Sequence, residues 1–494
     1  MRRFRFRSLL VWGGLLLFTT GFFLRGQDGN TPWQFAARVQ VLPALLRWGA
    51  TILFFAGTAL LAGRFYCSLL CPLGLFQEAV HGLGGRALPG YRPCRILRYL
   101  VLVAAILSMA AGSLGLLNLL DPFATFGRGV TQILKPLLVA VNNVPASISG
   151  EPSPILHHLP AAPVTASAFL WTSLFFLALA AWAITRGRPF CDTLCPVGTF
   201  LGLFSSSPLL SVRFDTNACS GCGRCERVCP TGCLSSGEMR IERDRCILCL
   251  SCLGACKTGA LRLGIPSAGE GLQRRGLIRT VLGAAAALAF SGIQSRVEIS
   301  ARSEALPLAV LPVSPPGSGS HDHFRRKCIA CSSCVSACPA GIIRPTLSAW
   351  GASGLFQPRL DYRYGYCQYE CNTCTGTCPT GAIEPLSVEA KQRVQIGRAR
   401  FDSNACIVVK RGTACGACAE HCPTQAAHMV PYRDGLSIPE VDCALCIGCG
   451  ACQFACPALP KAMTVEGLRH HGTAKRPEDA GEGAVFDPIE EFPF

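Results

Sequence analysis

Haem ligands are missing from this sequence. The motif C-x-x-C-H occurs nowhere, and none of the nine histidines lies inside an apolar run long enough to cross a bilayer. Attachment of a c-type haem needs the first feature, and a membrane haem held by two histidines needs the second. We therefore expect no haem in this protein.

Acidic residues are scarce: 30 Asp and Glu stand against 46 Lys and Arg, which gives a net charge of +16. Such an excess invites a nucleic-acid interpretation. The arginines are dispersed, however, and concentrate beside apolar segments, where they act as topology signals and contacts to the membrane surface. We expect no nucleic-acid partner.

Long uncharged runs are confined to the part of the chain before residue 295. Four apolar segments lie at residues 9–24, 42–62, 99–120 and 164–184. Each can cross a hydrocarbon core of about 30 Å at 1.5 Å per residue. The sequence therefore predicts a four-helix membrane domain over residues 1–200, with soluble domains behind it.

The Lys and Arg bias of the loops predicts the orientation of this domain. Four arginines precede the first segment, five lie in the loop after the second, and Arg186 and Arg188 follow the fourth. Positive residues favour the cytoplasmic side of a membrane. We expect the N-terminus and residues 186–279 to lie inside, in a bacterial inner membrane.

Two Cys-x3-Cys-Pro motifs follow the second and fourth apolar segments. They contain Cys67 and Cys71 in the first motif, and Cys191 and Cys195 in the second. Their equivalent positions indicate an internal duplication. The four thiols either hold a metal centre, work as a redox dithiol pair, or line a docking surface for the next domain.

Most of the 31 cysteines follow the spacing C-x2-C-x2-C-x3-C or a close variant, which is typical of iron-sulfur ligation rather than of a disulfide framework. Residues 210–265 carry two such motifs and predict a two-cluster ferredoxin. In this arrangement Cys256 completes the cluster of the first trio, and Cys229 completes that of the second. The predicted ligands are Cys219, Cys222, Cys225, Cys229, Cys246, Cys249, Cys252 and Cys256.

Residues 326–465 carry four more motifs and predict a four-cluster ferredoxin domain, with an acidic tail over residues 466–494. The whole chain should then bind six [4Fe-4S] clusters, or about 24 iron atoms. Cys94, Cys233 and Cys443 are left over and are predicted to be free buried thiols. The ligands expected in this second domain are Cys328, Cys331, Cys334, Cys338, Cys367, Cys371, Cys374, Cys378, Cys406, Cys415, Cys418, Cys422, Cys446, Cys449, Cys452 and Cys456.

Between the two ferredoxin regions, residues 270–295 begin with Arg274-Arg275 and continue into an Ala-rich apolar run. This pattern is typical of a twin-arginine export signal, a pathway that carries folded, cofactor-loaded domains. The alternative is a buried or interfacial helix that leaves the second ferredoxin inside. Residues 296–325 form a Pro-, Gly- and Ser-rich linker.

Residues 1–265 of this chain resemble NapH-type proteins of periplasmic nitrate reductase systems, by their apolar segments, paired Cys-x3-Cys-Pro motifs and two-cluster ferredoxin. Residues 270–465 resemble the NapG type, which overlaps the MauM-like methylamine-utilisation ferredoxins. The resemblance implies a multi-domain protein in which four membrane helices carry two small α+β ferredoxin-like domains, the second one periplasmic. Because the paired arginines are internal here and not terminal, we expect an uncleaved fifth helix that tethers the second domain.

The resemblance also implies a function in anaerobic respiration. The chain would be a quinol dehydrogenase or electron-transfer subunit that takes electrons from the quinone pool and gives them to a periplasmic cytochrome c or terminal reductase. An analogy with four-cluster ferredoxin subunits of membrane oxidoreductases implies that the first of the four motifs in residues 326–465 pairs with the fourth, and the second with the third.

Two other functions stay open. An assembly or maturation factor for a respiratory metalloenzyme also combines apolar helices, Cys-x3-Cys-Pro motifs and a two-cluster ferredoxin, but has no need of a second, four-cluster domain. A membrane redox sensor would need an effector domain, and none is evident in the sequence.

Overall fold

The structure is a computed structural model that describes residues 2–23, 32–47, 51–83, 94–149, 164–206, 208–265 and 311–475. Three parts can be distinguished. Residues 2–206 form a helical unit, and residues 208–265 and 311–475 form two ferredoxin domains. We label these domains the inner ferredoxin and the outer ferredoxin after the membrane sides that the sequence predicts. The twin-arginine segment and the end of the acidic tail lie outside the described residues.

The helical unit contains thirteen α-helices and one π-helical turn within its described residues. These elements are α1 Arg2–Phe23, α2 Pro32–Arg38, α3 Val41–Arg47, α4 Thr51–Ala62, α5 Phe65–Leu69, α6 Pro72–Gly82, α7 Arg95–Ala110, α8 Gly115–Leu120, α9 Pro122–Gly129, the π-helical turn Val130–Leu134, α10 Lys135–Ser149, α11 Ala166–Arg186, α12 Pro189–Thr193 and α13 Pro196–Phe204.

The predicted bundle of four membrane spans is wrong. Among the described residues, only α11 is long and apolar enough to cross a bilayer. The first segment has an apolar part of 17 residues after its arginines, and the second contains the separate short helices α3 and α4. The third ends at Ala110, where Gly112 takes a φ of +74° that an α-helix does not accommodate. The predicted fifth helix lies outside the described residues.

Helix α11 extends from the outer to the inner ferredoxin. Before its first turn, the carbonyl oxygen of Val164 accepts a hydrogen bond from Arg344, at 2.9 Å. Just beyond its last residue, the amide of Arg188 donates to the carbonyl oxygen of Pro230, at 2.8 Å. Since the helix has 21 residues, the two contacts are about 30 Å apart at 1.5 Å per residue.

Both ferredoxins insert an isoleucine of a cluster motif into the apolar interior of the helical unit. Ile247, which follows Cys246, lies in the core that contains Cys67, Cys71 and Cys195. Ile329, which follows Cys328, lies in a second core with aromatic side chains of α1 and α9. Each isoleucine is only 1% exposed. The two docking contacts therefore use the same position of the motif.

The inner ferredoxin consists of two small antiparallel sheets and two short helices. Strand β1 Ser211–Phe214 pairs with β4 Leu261–Gly264, so the two ends of the domain lie side by side. Strand β2 Leu234–Ser235 pairs with β3 Arg240–Ile241. Helices α14 Arg224–Arg227 and α15 Ser251–Ala255 follow the second cysteine of each motif and contact each other.

The outer ferredoxin is larger and contains three antiparallel strand pairs. Its antiparallel strand pairs are β5 Ile343–Pro345 with β6 Pro358–Leu360, β7 Val394–Phe401 with β10 Met463–Thr473, and β8 Ala427–Pro431 with β9 Ser437–Val441. Its helices are α16 His321–Lys327, α17 Ser333–Ala337, α18 Thr373–Gly376, α19 Val388–Arg393, α20 Ile407–Arg411, α21 Ala417–Glu420 and α22 Ala451–Ala455.

Both ends of the outer ferredoxin extend further than the sequence predicted. Strand β10 continues to Thr473, so the first residues of the predicted acidic tail belong to a sheet. At the other end, residues 313–318 of the predicted linker are mostly buried, and Val313 packs in the domain core. Composition alone did not show these contacts, because they form with distant parts of the chain.

We expect the substitution Ile329→Ala to loosen the outer ferredoxin from the helical unit. Removing a buried isoleucine side chain costs about 2–5 kcal/mol, here at the contact with α1 and α9. Hydrogen exchange measured by mass spectrometry should then become faster in the second half of α1 and in α9. Ile447→Ala is the matched control, because Ile447 holds the same motif position but packs inside the outer ferredoxin. Equal exchange in both variants would contradict the docking role.

Candidate functional site

The cysteine loops have an unusual backbone. In the inner ferredoxin, Leu248 and Leu250 flank Cys249 with φ values of +54° and +61°. Ala330 and Ser332 flank Cys331 in the outer ferredoxin with φ values of +56° and +63°. Residues other than glycine rarely adopt this left-handed conformation, and where they do, it is commonly at a functional site. Two left-handed residues curl each loop around its central cysteine.

One cavity of the inner ferredoxin has the predicted set of four thiols. A cavity of about 340 Å³ is lined by Cys246, Cys249 and Cys252 of the second trio and by Cys229 of the first motif. This is the three-plus-one arrangement that a two-cluster ferredoxin uses. For the first trio, the structure places Cys225 near Cys219, while Cys222 is exposed and Cys256 half-buried.

The outer ferredoxin pairs its motifs differently from the prediction. Cavities of about 310–360 Å³ join three cysteines of one motif to the last cysteine of its neighbour in sequence. Around the first trio, Cys378 lies within electrostatic range of all three cysteines, Cys328, Cys331 and Cys334. The complete sets are Cys328/Cys331/Cys334 with Cys378, Cys367/Cys371/Cys374 with Cys338, Cys406/Cys415/Cys418 with Cys456, and Cys446/Cys449/Cys452 with Cys422.

The first motif therefore pairs with the second, and the third with the fourth, not first with fourth. The physical reason is local folding: α17 packs on α18, and α21 packs on α22, so each half closes by itself. The irregular gap between Cys406 and Cys415 is also explained. Helix α20 fills it and ends at Gly412, whose φ of +64° turns the chain back toward the site.

The environment of these thiols fits iron-sulfur clusters. Burial raises the pKa of Cys418 to about 11 and that of Cys449 to about 12. At neutral pH such thiols stay protonated unless a positive centre binds their thiolate form. Iron supplies that charge, and the three-plus-one cavities have the ligand number that a [4Fe-4S] cluster needs.

The two Cys-x3-Cys-Pro motifs meet inside the helical unit. Cys67, Cys71, Cys191 and Cys195 are each 2–3% exposed, and we call them the four-cysteine site. Burial raises the pKa of Cys191 to about 11, against the opposing effect of Arg188. Gln77 donates to the Cys191 sulfur, and the Gly198 amide to the Cys195 sulfur, both at 3.2 Å.

Two fully buried arginines link the two motifs, because each donates to a carbonyl oxygen of the opposite motif. Arg64, three residues before Cys67, donates to the carbonyl oxygen of Cys191 at 3.0 Å. Arg188, three residues before Cys191, donates to the carbonyl oxygen of Cys67. Each motif is therefore completed by the arginine of the other.

Glycines make room for these arginines. A Cβ atom at Gly198 would lie 2.5 Å from an Arg64 nitrogen, and one at Gly74 would lie 2.9 Å from an Arg188 nitrogen. The repeat is thus Arg-x2-Cys-x3-Cys-Pro-x-Gly in both halves. From the sequence, Arg64 and Arg188 were predicted only to be topology signals. Aligning the two motifs from three residues before the first cysteine to three residues after the second shows the shared arginine and glycine.

Acidic side chains neutralise the buried arginines. Arg64 pairs with Asp192 at 3.0 Å, and both side chains are fully buried. Asp192 also accepts from Arg245 of the inner ferredoxin, at 3.3 Å, while Arg188 pairs with Glu78. The four-cysteine site is therefore tied electrostatically to the inner ferredoxin.

The described residues contain no group of three or more His, Cys, Asp or Glu side chains at the spacing of a single metal ion. That finding includes the cluster loops, whose sulfurs are spread around a cavity instead. For the four-cysteine site, the alternatives of an extended metal centre and a dithiol pair both stay compatible with the buried thiols. The docking-surface alternative also stays open, because Ile247 of the inner ferredoxin packs in the same core as Cys67, Cys71 and Cys195.

The prediction for the leftover cysteines is partly wrong. Cys94 and Cys443 are exposed, not buried. Cys233 is buried but does not lie apart from the clusters, since it lines the same cavity as Cys229. Asp121, close to the first trio of the outer ferredoxin, caps α9: its carboxylate accepts from the Ala124 amide at 2.7 Å.

Family models match these same regions. A 4Fe-4S binding domain matches residues 44–89 and 168–216, which contain the two Cys-x3-Cys-Pro motifs. A second 4Fe-4S binding domain matches residues 212–235. A 4Fe-4S dicluster domain matches residues 327–382 and 411–459, in agreement with the two halves of the outer ferredoxin.

The ferredoxin-type protein NapF of Escherichia coli K12 is 30% identical over 159 residues, which cover 32% of this chain and 87% of NapF. The chain belongs to the Nap/Mau group of ferredoxin-type proteins. The methylamine utilization ferredoxin-type protein MauM of Methylobacillus flagellatus is 30% identical over 171 residues, 33% of this chain and 71% of MauM. The putative electron transport protein YccM of E. coli K12 is 25% identical over 214 residues, 41% of this chain and 51% of YccM.

The predicted Nap/Mau relationship is thus confirmed. As a member of this group, the chain is a ferredoxin-type electron-transport protein with repeated 4Fe-4S binding domains.

We expect Arg64→Ala to expose the cysteines of the second motif, and Arg188→Ala those of the first. Losing one partner of a buried charge pair costs about 3–5 kcal/mol, or roughly 150- to 5,000-fold in local opening. Alkylation of the purified chain, mapped by mass spectrometry, should rise first at Cys191 in Arg64→Ala and at Cys67 in Arg188→Ala. Arg240→Ala, at an exposed position, should leave both rates unchanged. If alkylation instead rose first at the cysteines of the substituted arginine's own motif, the crossed contacts between arginine and opposite motif would be refuted.

Proposed function

We propose that this chain is a membrane-attached quinol dehydrogenase component that passes electrons from the quinol pool to a periplasmic reductase or cytochrome c. The observation that carries the proposal is an apolar cavity beside the four-cysteine site. Its lining, residues from α3, α4, α7, α8 and α13, includes Pro196 and Val197, which directly follow Cys195.

The cavity suits an isoprenoid chain. It is partly open to the surface and is lined only by apolar side chains, among them Phe55, Ala105, Met109 and Phe200. Binding sites for apolar ligands commonly have such linings. A quinol whose tail occupies this cavity would have its head group near the four-cysteine site.

The surface of the helical unit supports membrane attachment. Large apolar side chains are exposed along several of its helices, including Leu16, Leu100, Leu107, Leu170 and Leu177, each at least 60% exposed. Soluble monomers rarely expose apolar patches of this extent. We propose that this surface contacts lipid, with α11 oriented across the bilayer.

The positions of the ferredoxins support electron transfer between two compartments. They dock at opposite ends of α11, about 30 Å apart, a distance similar to the hydrocarbon thickness. Each bound cluster accepts one electron, so oxidation of a quinol would proceed in two steps with release of two protons. The chain's own contribution is to bind the quinol tail, exclude water, and hold the ferredoxins at the two ends.

We expect Ala105→Phe to slow the reduction of the clusters by a quinol, because the added ring fills the cavity. The measurement is the absorbance change of the full chain in detergent after addition of a short-tailed ubiquinol. A decrease of at least tenfold is expected, whereas reduction by dithionite should be unchanged. Ala104→Phe is the matched control, since the neighbouring residue Ala104 lies on the exposed face of α7, away from the cavity. Equal rates in the two variants would exclude this cavity.

We also expect the outer ferredoxin to lie in the periplasm of a bacterial inner membrane. A reporter that is active only outside the cytoplasm should be active when fused after Phe494 and inactive when fused after Ile265. Changing Arg274 and Arg275 to Lys should abolish the activity of the first fusion, because export would depend on the paired arginines. Activity after Ile265, or none after Phe494, would refute this topology.

A further inference from the structure

One cavity of the inner ferredoxin contains a fifth thiol. Cys233 lines it together with Cys229, Cys246, Cys249 and Cys252. A cubane takes four protein ligands, so one sulfur exceeds the requirement. Cys233 is only 4% exposed, which keeps its thiol within the protein.

Cys233 is close to two of the four expected ligands. Its sulfur lies 3.6 Å from the sulfur of Cys229, and its side chain is also within hydrogen-bonding reach of Cys246. Gly232, with a φ of +57°, reverses the chain so that Cys229 and Cys233 face the same side of the turn. A shift of a few ångströms would exchange the places of the two sulfurs.

The outer ferredoxin has no thiol at this position. The residue four places after the last cysteine is Ile342 in the first motif, Ala382 in the second and Ala426 in the third. All three are 1–2% exposed, so the position faces the interior in these motifs, whereas its counterpart in the fourth motif, Pro460, is exposed. An apolar side chain is sufficient there, and packing does not require the sulfur of Cys233.

The turn that carries both thiols is fixed to the four-cysteine site. Arg245 donates to the carbonyl oxygens of Thr231 and Gly232, and the same guanidinium group reaches Asp192. The backbone of Arg188 holds Pro230. The five-thiol cavity is therefore the one that faces the helical unit.

We infer that Cys233 is an exchangeable ligand that can replace Cys229 at this iron-sulfur site. In the exchange, the bond from the Cys229 sulfur to iron breaks and a bond from the Cys233 sulfur forms. The proton of the Cys233 thiol moves to Cys229, and no electron is transferred. While Cys229 is the ligand, the Cys233 thiol can donate a hydrogen bond to its sulfur, which raises the reduction potential of the site.

The test compares iron and sulfide content in full-length variants purified anaerobically. Cys229→Ala should retain the wild-type iron content, because Cys233 replaces the lost ligand. The double variant Cys229→Ala with Cys233→Ala should lose about four iron atoms. Low-temperature EPR of the reduced protein should report the same difference.

The outer ferredoxin provides the matched controls. Cys378→Ala should lose about four iron atoms, because Ala382 offers no substitute, and adding Ala382→Cys should restore them. Cys233→Ala alone should keep all its iron but have a lower reduction potential in an EPR-monitored titration.

Two results would overturn the inference. The first is a loss of iron in Cys229→Ala as large as in the double variant, and failure of that variant to accumulate counts as the same result. The second is a loss of about four iron atoms in Cys233→Ala alone, which would make Cys233 the permanent ligand.

Discussion

The structure depends on the neutralisation of arginines that have no access to water. Arg64 and Arg188 are fully buried in the helical unit, where an unpaired charge would cost several kcal/mol. Asp192 and Glu78 supply the counter-charges, and the carbonyl oxygens of the opposite motif accept the remaining hydrogen bonds. The position of the four thiols follows from this arrangement, because the carbonyls that the arginines bind belong to Cys67 and Cys191.

The same electrostatic arrangement determines where the inner ferredoxin sits. Asp192 is shared between Arg64 of the helical unit and Arg245 of the ferredoxin, and Arg98 of α7 reaches Asp244 at 3.2 Å. The outer ferredoxin docks mainly through apolar contacts around Ile329, with Lys135 donating to the Ser336 carbonyl oxygen at 2.7 Å. Both interfaces therefore contain a buried isoleucine, but only that of the inner ferredoxin adds buried charge pairs shared with the four-cysteine site.

Sequence spacing predicted the cluster loops, the contribution of Cys229 to the second trio of the inner ferredoxin, and the long helix α11. Each of these depends on residues near one another in the chain. It did not predict the motif pairing of the outer ferredoxin, which follows from α17 packing on α18 and α21 on α22. The prediction of four membrane spans failed for a different reason. Composition indicated four spans, but a helix ends where the backbone turns, as at Gly112, whatever the hydropathy of its neighbours.

The left-handed residues beside Cys249 and Cys331 bear on the order of maturation. For leucine, alanine and serine this conformation costs about 1–2 kcal/mol per residue. Without a bound cluster, the loops would therefore favour other backbone conformations. Inserted iron and sulfide would compensate for that tendency and lock Ile247 and Ile329 in place for docking. Cluster insertion and docking of the two ferredoxins onto the helical unit are in this way coupled. A chain without its clusters would dock its ferredoxins less firmly and would expose the apolar surfaces that these contacts bury.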